Sequence, residues 1–132
     1  MSESTLLATL LSGRKIHSYK FGCGSYHLLL VGGVHGNEIE GVELISALMT
    51  ELEGSVQFPN LTILVVPNVN PDGVAAKRRQ NENWVDLNRN LPTKDWTSEA
   101  MKPEYQPGAS AGSEVESQVV VNLVEKFKPN YI

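Results

Sequence analysis

The 132-residue chain has one cysteine, two tryptophans, few aromatics and no long apolar run. With Cys23 alone, no intramolecular disulfide exists, and that usage fits a reducing compartment. The longest apolar run is Leu28 to Val31, extended by glycines to Val34. A membrane span needs about 20 apolar residues, so no spanning helix is expected. Leu6 to Leu11 is preceded by Glu3 and by no Lys or Arg, unlike the basic start and roughly 7–15-residue apolar core of a secretory signal. The reading is a soluble, cytoplasmic protein without a membrane partner. Eleven Lys and Arg against fifteen Asp and Glu give a net charge of −4, with no basic run. Charge therefore offers no footprint for nucleic acid. Hydrophobic residues at 41% and charged residues at 20% exclude a disordered or collagen-like chain. The length suits one domain, able to bury roughly 68% of its unfolded surface.

Punctuation and periodicity order the elements. Ser2 or Ser4 could cap a short helix through Leu11, ended by Gly13. Lys15 to Phe21 alternates as a strand, Gly22-Cys23-Gly24-Ser25 reads as a hairpin turn, and Tyr26 to Gly33 reads as a second strand. Leu28-Leu29-Leu30-Val31 is apolar on both faces, as a central strand would be. Asn37 and Glu40 are spaced as a helix cap, and Ile39, Val42, Ile45, Met49 and Leu52 form one apolar stripe up to Gly54. Leu61 to Val66 is a β-branched third strand. Strand, helix, strand in this order implies a parallel crossover and an α/β sheet. With the hairpin antiparallel and the crossover parallel, the sheet should be mixed.

From Pro67 to Gly112, 46 residues hold five of the seven prolines and no clean amphipathic pattern. Irregular stretches beyond about 12–15 residues are uncommon and usually functional or disordered. A helical pattern returns over Ser113–Phe127, stopped by Pro129, and Asn130-Tyr131-Ile132 reads as the start of another strand. A helix with no strand after it suggests a truncated domain.

Four stretches could carry chemistry. Gly32-Gly33-Val34-His35-Gly36-Asn37-Glu38 lies between a strand's carboxyl end and a helix, where ligand sites of open α/β sheets collect. His35 and Glu38, three apart across a turn, could converge on one metal ion, or Glu38 could simply favour the helix dipole. No Gly-Lys-Ser/Thr follows, which argues against a Walker-type phosphate loop. Asn70-Pro71-Asp72-Gly73 follows the third strand and is equally explained as a type I or II turn. Lys77-Arg78-Arg79-Gln80-Asn81 and Asp86-Leu87-Asn88-Arg89-Asn90 combine guanidinium and amide groups. Arg79 and Arg89 could stabilise an oxyanion and clamp a carboxylate, or be solvated arginines with Asp86 as a local partner. Trp84 and Trp96 are expected to anchor this loop rather than line a pocket. Ser113 with Glu116 reads first as a capping box. His17 and His27 read as structural. His27 is about 25 Å from His35 along an extended strand, and His17, placed opposite Leu30 by the hairpin, is about 16 Å away.

Together the motifs resemble the zinc carboxypeptidase superfamily. His35-Gly36-Asn37-Glu38 is similar to its His-x-x-Glu pair, and Asn70-Pro71-Asp72-Gly73 to its Asn-Pro-Asp-Gly turn. Val85-Asp86-Leu87-Asn88-Arg89-Asn90 is similar to its Val-Asp-Leu-Asn-Arg-Asn segment, and Ser113-Glu114-Val115-Glu116 to its Ser-Glu-x-Glu helix start. Any one motif is weak, but four in order from Leu28 onward are specific. The short interval from Arg79 to Asp86, and Pro107-Gly108 before Ser-Glu-x-Glu, resemble the murein peptide amidases, cytoplasmic enzymes that remove diaminopimelate from a cell-wall tripeptide.

The resemblance implies a three-layer α/β/α domain with a mixed sheet, of which residues 1–132 would be the N-terminal portion. It implies a Zn2+ cofactor held by His35 and Glu38, a carbonyl-polarising Arg79, and Asn88 and Arg89 holding a free carboxylate. The expected substrate is a small peptide or acylated amino acid with that carboxylate. In the family a later His completes the metal site and a later Glu is the general base. Neither lies within these residues, so this length is expected to be inactive while the parent is an enzyme. An acylamino-acid deacylase of the succinylglutamate desuccinylase or aspartoacylase type is the sister reading, against which Asn70-Pro71-Asp72-Gly73 argues mildly. A non-catalytic carboxylate-binding module is the alternative of another class.

Overall fold

The computed structural model describes residues 2–54 and 58–132. Four strands form one mixed sheet: β1 (Glu3–Thr9), β2 (Lys15–Gly22), β3 (Tyr26–Val31) and β4 (Leu61–Val66), in the spatial order β1-β2-β4-β3. Helix α1 (Glu40–Gly54) joins β3 to β4. A six-residue helix α2 (Pro71–Ala76), a 3₁₀ turn (Leu87–Arg89) and helix α3 (Val115–Phe127) follow. The α/β class and mixed sheet match the expected carboxypeptidase-like architecture. Among the described residues no helix is long and apolar enough to cross a membrane.

The parallel pair sits where the crossover requires it, Tyr26 facing Leu61 through Val31 facing Val66. The strand position of β4 follows from its sequence. Thr62 to Val66 are all buried, so the strand with two apolar faces takes the middle of the sheet.

That placement overturns the expected hairpin. β2 pairs with β4 and β1, both antiparallel, and never with β3. His17 therefore faces Leu6, not Leu30. Gly22-Cys23-Gly24-Ser25 is a crossing over the start of β4 rather than a two-strand turn. Gly24 N–H and Tyr26 N–H donate to the Leu61 and Asn60 carbonyls at 3.3 and 3.0 Å. A Cβ on Gly24 would overlap the Asn60–Leu61 backbone, so glycine is what lets the crossing pass so close.

The expected N-terminal helix is strand β1. A helix of one or two turns is a poor nucleus, whereas as a strand these residues bond to β2 and place Leu7 and Ala8 against the core. The core cluster is Leu10, Ile16, Val66, Val69 and Val119, with Val120 and Leu123 of α3 packed on it. α1 keeps four of the five expected stripe residues: Val42, Ile45, Met49 and Leu52 are half-buried and Leu44 is exposed, whereas Ile39 precedes the helix and is itself exposed. It opens at Glu40 after a turn closed by Glu38 N–H on the His35 carbonyl, so Asn37 lies inside that turn and not at the cap.

Asn70-Pro71-Asp72-Gly73 is a helix start rather than a free turn. Asn70 caps α2 by accepting from Gly73 N–H at 2.9 Å, with Pro71 in the first turn, where its missing N–H costs nothing. The Ser113–Glu116 capping box does not form. Glu114 is the cap residue of α3, Ser113 donates to the Glu114 carboxylate, and Glu116 points to Asn81. The expected final strand is a parallel bridge of Tyr131 to Leu28, outside β3. His27 is structural as expected, stacked on Phe127 at 4.6 Å with Nδ1 2.8 Å from the Phe127 carbonyl.

Candidate active site

Because β3 and β4 run parallel, the segments leaving their carboxyl ends emerge side by side. Gly32 N–H donates to the Val66 carbonyl at 2.8 Å and Val69 N–H to the Gly32 carbonyl at 2.9 Å. The wholly buried Asn70 donates from Nδ2 to the Val34 carbonyl while its Oδ1 caps α2. Gly36 then brings the His35 turn onto α2 and the Arg78–Arg79 backbone, with its N–H donating to the Arg79 carbonyl at 3.4 Å. A Cβ at Gly36 would overlap the Gly73 and Arg78 carbonyls. The His35 turn is thus seated against the loop that carries the arginines.

Four side chains meet there. His35 Nε2 is 3.0 Å from Asp86 Oδ1, and His35 Nδ1 is 3.3 Å from Glu38 Oε1. Asp86 is wholly buried. It also accepts Arg79 Nε on Oδ2 at 2.8 Å and Asn88 N–H on Oδ1 at 3.0 Å. Arg79 NH1 lies 3.6 Å from Glu38 Oε1. With two other donors already on it, Asp86 is an acceptor toward the imidazole, so Nε2 carries a proton toward Asp86, and in the neutral tautomer this leaves the Nδ1 lone pair facing Glu38.

Two protein ligands held about 2.0–2.2 Å from one tetrahedral ion are about 3.4 Å apart. The Nδ1–Oε1 separation of 3.3 Å fits that spacing, and an imidazole nitrogen with a carboxylate oxygen is a borderline donor set suited to a divalent transition metal. His35 and Glu38 are therefore the residues that could hold a metal ion. Among the described residues no third His, Cys, Asp or Glu joins them.

Arg79, expected near His35, is joined to it through Asp86 and is mostly buried, which removes the solvated-arginine alternative there. Asn88 and Arg89 stand on the 3₁₀ turn that the Asp86 carboxylate caps, and both are exposed. They border a cavity of about 410 Å³ shared with Trp96 and Tyr105. The Arg79 and Arg89 guanidinium carbons lie 4.9 and 5.1 Å from the Tyr105 ring centre. Trp96 thus lines a pocket, contrary to expectation. Trp84 is 61% exposed under the Arg78 guanidinium and anchors nothing in the core.

Sequence reasoning missed Asp86 as the hub, although an acid between Val85 and Leu87, both buried, was a signal. It also missed a buried polar layer beneath the loop. Asn90 donates to the Pro107 carbonyl and Ser113 Oγ and accepts from Glu114 N–H. Asn81 donates to the carboxylates of Glu114 at 2.8 Å and Glu116 at 3.3 Å. Burial alone would raise the Glu114 carboxyl, but hydrogen bonds from Asn81, Asn83 and Ser113 hold it below the usual range. Burial pushes Glu116 up, aided by the Glu114 and Asp72 charges, against the Asn81 bond.

Comparison with known proteins bears on the family and the fold. Residues 25–122 match the family model of the succinylglutamate desuccinylase/aspartoacylase catalytic domain. Murein peptide amidase A of Escherichia coli (strain K12) is 30% identical over 115 residues, covering 79% of this chain and 46% of the relative. The chain spans about half the length of that relative. The crystal structure of the murein-tripeptide amidase from Escherichia coli O157 superposes with a TM-score of 0.79 at 28% identity, over 96% of this chain and 56% of the other. Carboxypeptidase A of Helicoverpa armigera gives 0.82 at 19% identity, over 96% of this chain and 38% of the other, which shows the shared fold. The sister reading of the sequence thus names the matching family model, and the leading one names the amidase relatives. The chain belongs to the succinylglutamate desuccinylase/aspartoacylase catalytic domain family, on the fold of the zinc carboxypeptidases.

Proposed function

We propose that this chain carries the metal-binding half of a zinc-dependent hydrolase that cleaves a peptide or amide bond next to a free carboxylate, as a metallocarboxypeptidase or murein tripeptide amidase. The observation that carries the reading is the Asp86-backed His35, whose free Nδ1 lies 3.3 Å from Glu38 Oε1. His35 and Glu38 would hold the zinc, which supplies Lewis acidity and an activated water when bound. A catalytic zinc takes three protein ligands, so the proposal includes a third ligand and a carboxylate base beyond this constellation, without which these 132 residues do not hydrolyse.

The chain's own residues divide the remaining work. Asp86 holds the His35 tautomer and, by occupying Arg79 Nε, aims the rest of the guanidinium. Arg79 keeps N–H groups for a substrate carbonyl on which negative charge develops. Asn88 and Arg89, exposed at the cavity, offer a directional amide and a fork of donors to the substrate's carboxylate. The proposed substrate is a small peptide or acylated amino acid, and the proposed place of action is the cytoplasm.

Deacylation of an N-acylated amino acid is the second reading, favoured by the family model over residues 25–122. Hydrolysis assays on the protein carrying this chain separate the two. A cell-wall tripeptide ending in diaminopimelate is cleaved under the first reading, and N-succinylglutamate or N-acetylaspartate under the second. Cleavage of none, with zinc and a third ligand present, rejects both in favour of a carboxylate-binding module.

A further inference from the structure

The segment between Arg79 and Asp86 is a closed loop. Its base is the Arg79–Asp86 ion pair, and its centre is one side chain, Asn81, only 1% exposed. Asn81 Oδ1 accepts from Asn83 N–H at 3.0 Å and Val85 N–H at 3.1 Å. Its backbone N–H donates to the Val85 carbonyl at 3.0 Å, and its carbonyl accepts from Trp84 N–H and from the Arg78 guanidinium. Its Nδ2 reaches out of the loop to the buried Glu114 and Glu116 at the start of α3. Asn83 Nδ2 adds a second bond to Glu114 at 2.7 Å. Trp84 takes a left-handed φ of 61° inside this loop, a conformation a bulky residue keeps only when its surroundings hold it there.

We infer that Asn81, clamped by the Glu114 and Glu116 carboxylates, is the positioning residue that holds Asp86 against His35 and Arg79. This rests on the proposed function in that the positioned pair serves a metal and a carbonyl. No other side chain of the 81–85 segment bonds to both sides of the loop's centre and to α3. Asp86 follows directly after Val85, whose N–H and carbonyl both end on Asn81, so a shift of Asn81 moves Asp86 along its whole contact with His35. A buried amide between two carboxylates is expensive unless it is used, since each buried polar group demands partners. Here every polar atom of Asn81 has one.

The test has two readouts on this chain. Amide hydrogen exchange at Asn88, whose N–H donates to Asp86 Oδ1, reports the position of Asp86 directly. Zinc affinity by competition with a chromophoric chelator reports its consequence. The control is Ile16→Ala, which removes a wholly buried core side chain on β2. Asn81→Ala should speed Asn88 exchange about tenfold more than Ile16→Ala does at equal loss of stability, and should weaken zinc about tenfold or more. Should Asn81→Ala fail to fold, Asn83→Ala removes one clamp bond from an exposed residue and should move both readouts the same way by less. Asn88 exchange no faster than in Ile16→Ala overturns the positioning role. Zinc binding absent already in the unsubstituted chain defeats the metal reading instead, and the exchange readout still decides the role of Asn81.

Discussion

Asp86 Oδ1 lies 3.0 Å from His35 Nε2, and the carboxylate that bears it has no exposure to solvent. A buried anion with an imidazole, a guanidinium and a backbone amide on it locks three separate chain segments into one site. Asp86→Ala leaves those donors without an acceptor. It should cost roughly 3 kcal/mol of stability, as when one member of a buried pair is removed, read from the urea midpoint. Zinc affinity should fall about 10–100-fold, as for other outer-shell partners of a metal-binding His. An unchanged affinity would show that the His35 orientation is set elsewhere.

Gly36 makes a separate prediction. Gly36→Ala would drive a methyl into the Gly73 and Arg78 carbonyls, both backbone and unable to swing aside. The cost should be about 2–3 kcal/mol, at the upper end for overpacking. Lost packing of the His35 turn on the arginine loop should also weaken metal binding, measured by the same chelator competition. Wild-type stability would mean the turn and loop are not in contact as described.

Much of the fold could be read from local pattern, and what failed was non-local. Leu61–Val66 is a strand with the expected ends and the expected parallel partner, because a β-branched run after an amphipathic helix admits one topology. The partner of β2 was not legible. Gly22 to Ser25 carries hairpin chemistry, and only the depth at which Leu61–Val66 is buried shows that β4 must lie between β2 and β3. At the candidate site, the spacing of His35 and Glu38 and the charge of Arg79 left bland alternatives open, and it was the order of four motifs that singled these residues out. Asp86 was not legible, because its neighbours Arg79 and Arg89 made it look like a surface ion-pair partner. Glu114 and Glu116 were hidden behind a pattern that a capping box explains equally well.

The two carboxylates at α3 should respond to pH in opposite directions. Glu116 is raised in the folded chain, so its protonated form favours folding. That contribution is complete below the ordinary carboxylate range and is lost as pH rises through the raised folded value. Glu114 is lowered, so its contribution is present above the ordinary range and is lost as pH falls through the lowered folded value. Melting temperatures across acid to neutral pH test this. Glu116→Gln should melt higher than the parent at neutral pH and match it in acid. Glu114→Gln should melt lower at neutral pH, the gap closing in acid. Parallel curves for both variants would contradict the assignment.

Arg89 makes a prediction about ligand binding rather than stability. It is exposed, and its charge faces the cavity beside Tyr105. Arg89→Ala should leave the unfolding midpoint within about 0.5 kcal/mol of the parent, as for other surface changes. It should weaken binding of a carboxylate-bearing product, such as free diaminopimelate, about 10–100-fold, the range of a charge-assisted hydrogen bond. NMR shift titration measures both affinity and location. Equal affinity in the variant would move the carboxylate clamp away from Arg89.

Zinc titration of this chain by calorimetry, with and without His35→Ala, tests the central claim most directly. The account predicts one weak zinc equivalent per chain, since two protein ligands hold the ion less firmly than three, and its disappearance in His35→Ala. Tight stoichiometric binding that survives His35→Ala would contradict it, placing the metal away from His35 and Glu38.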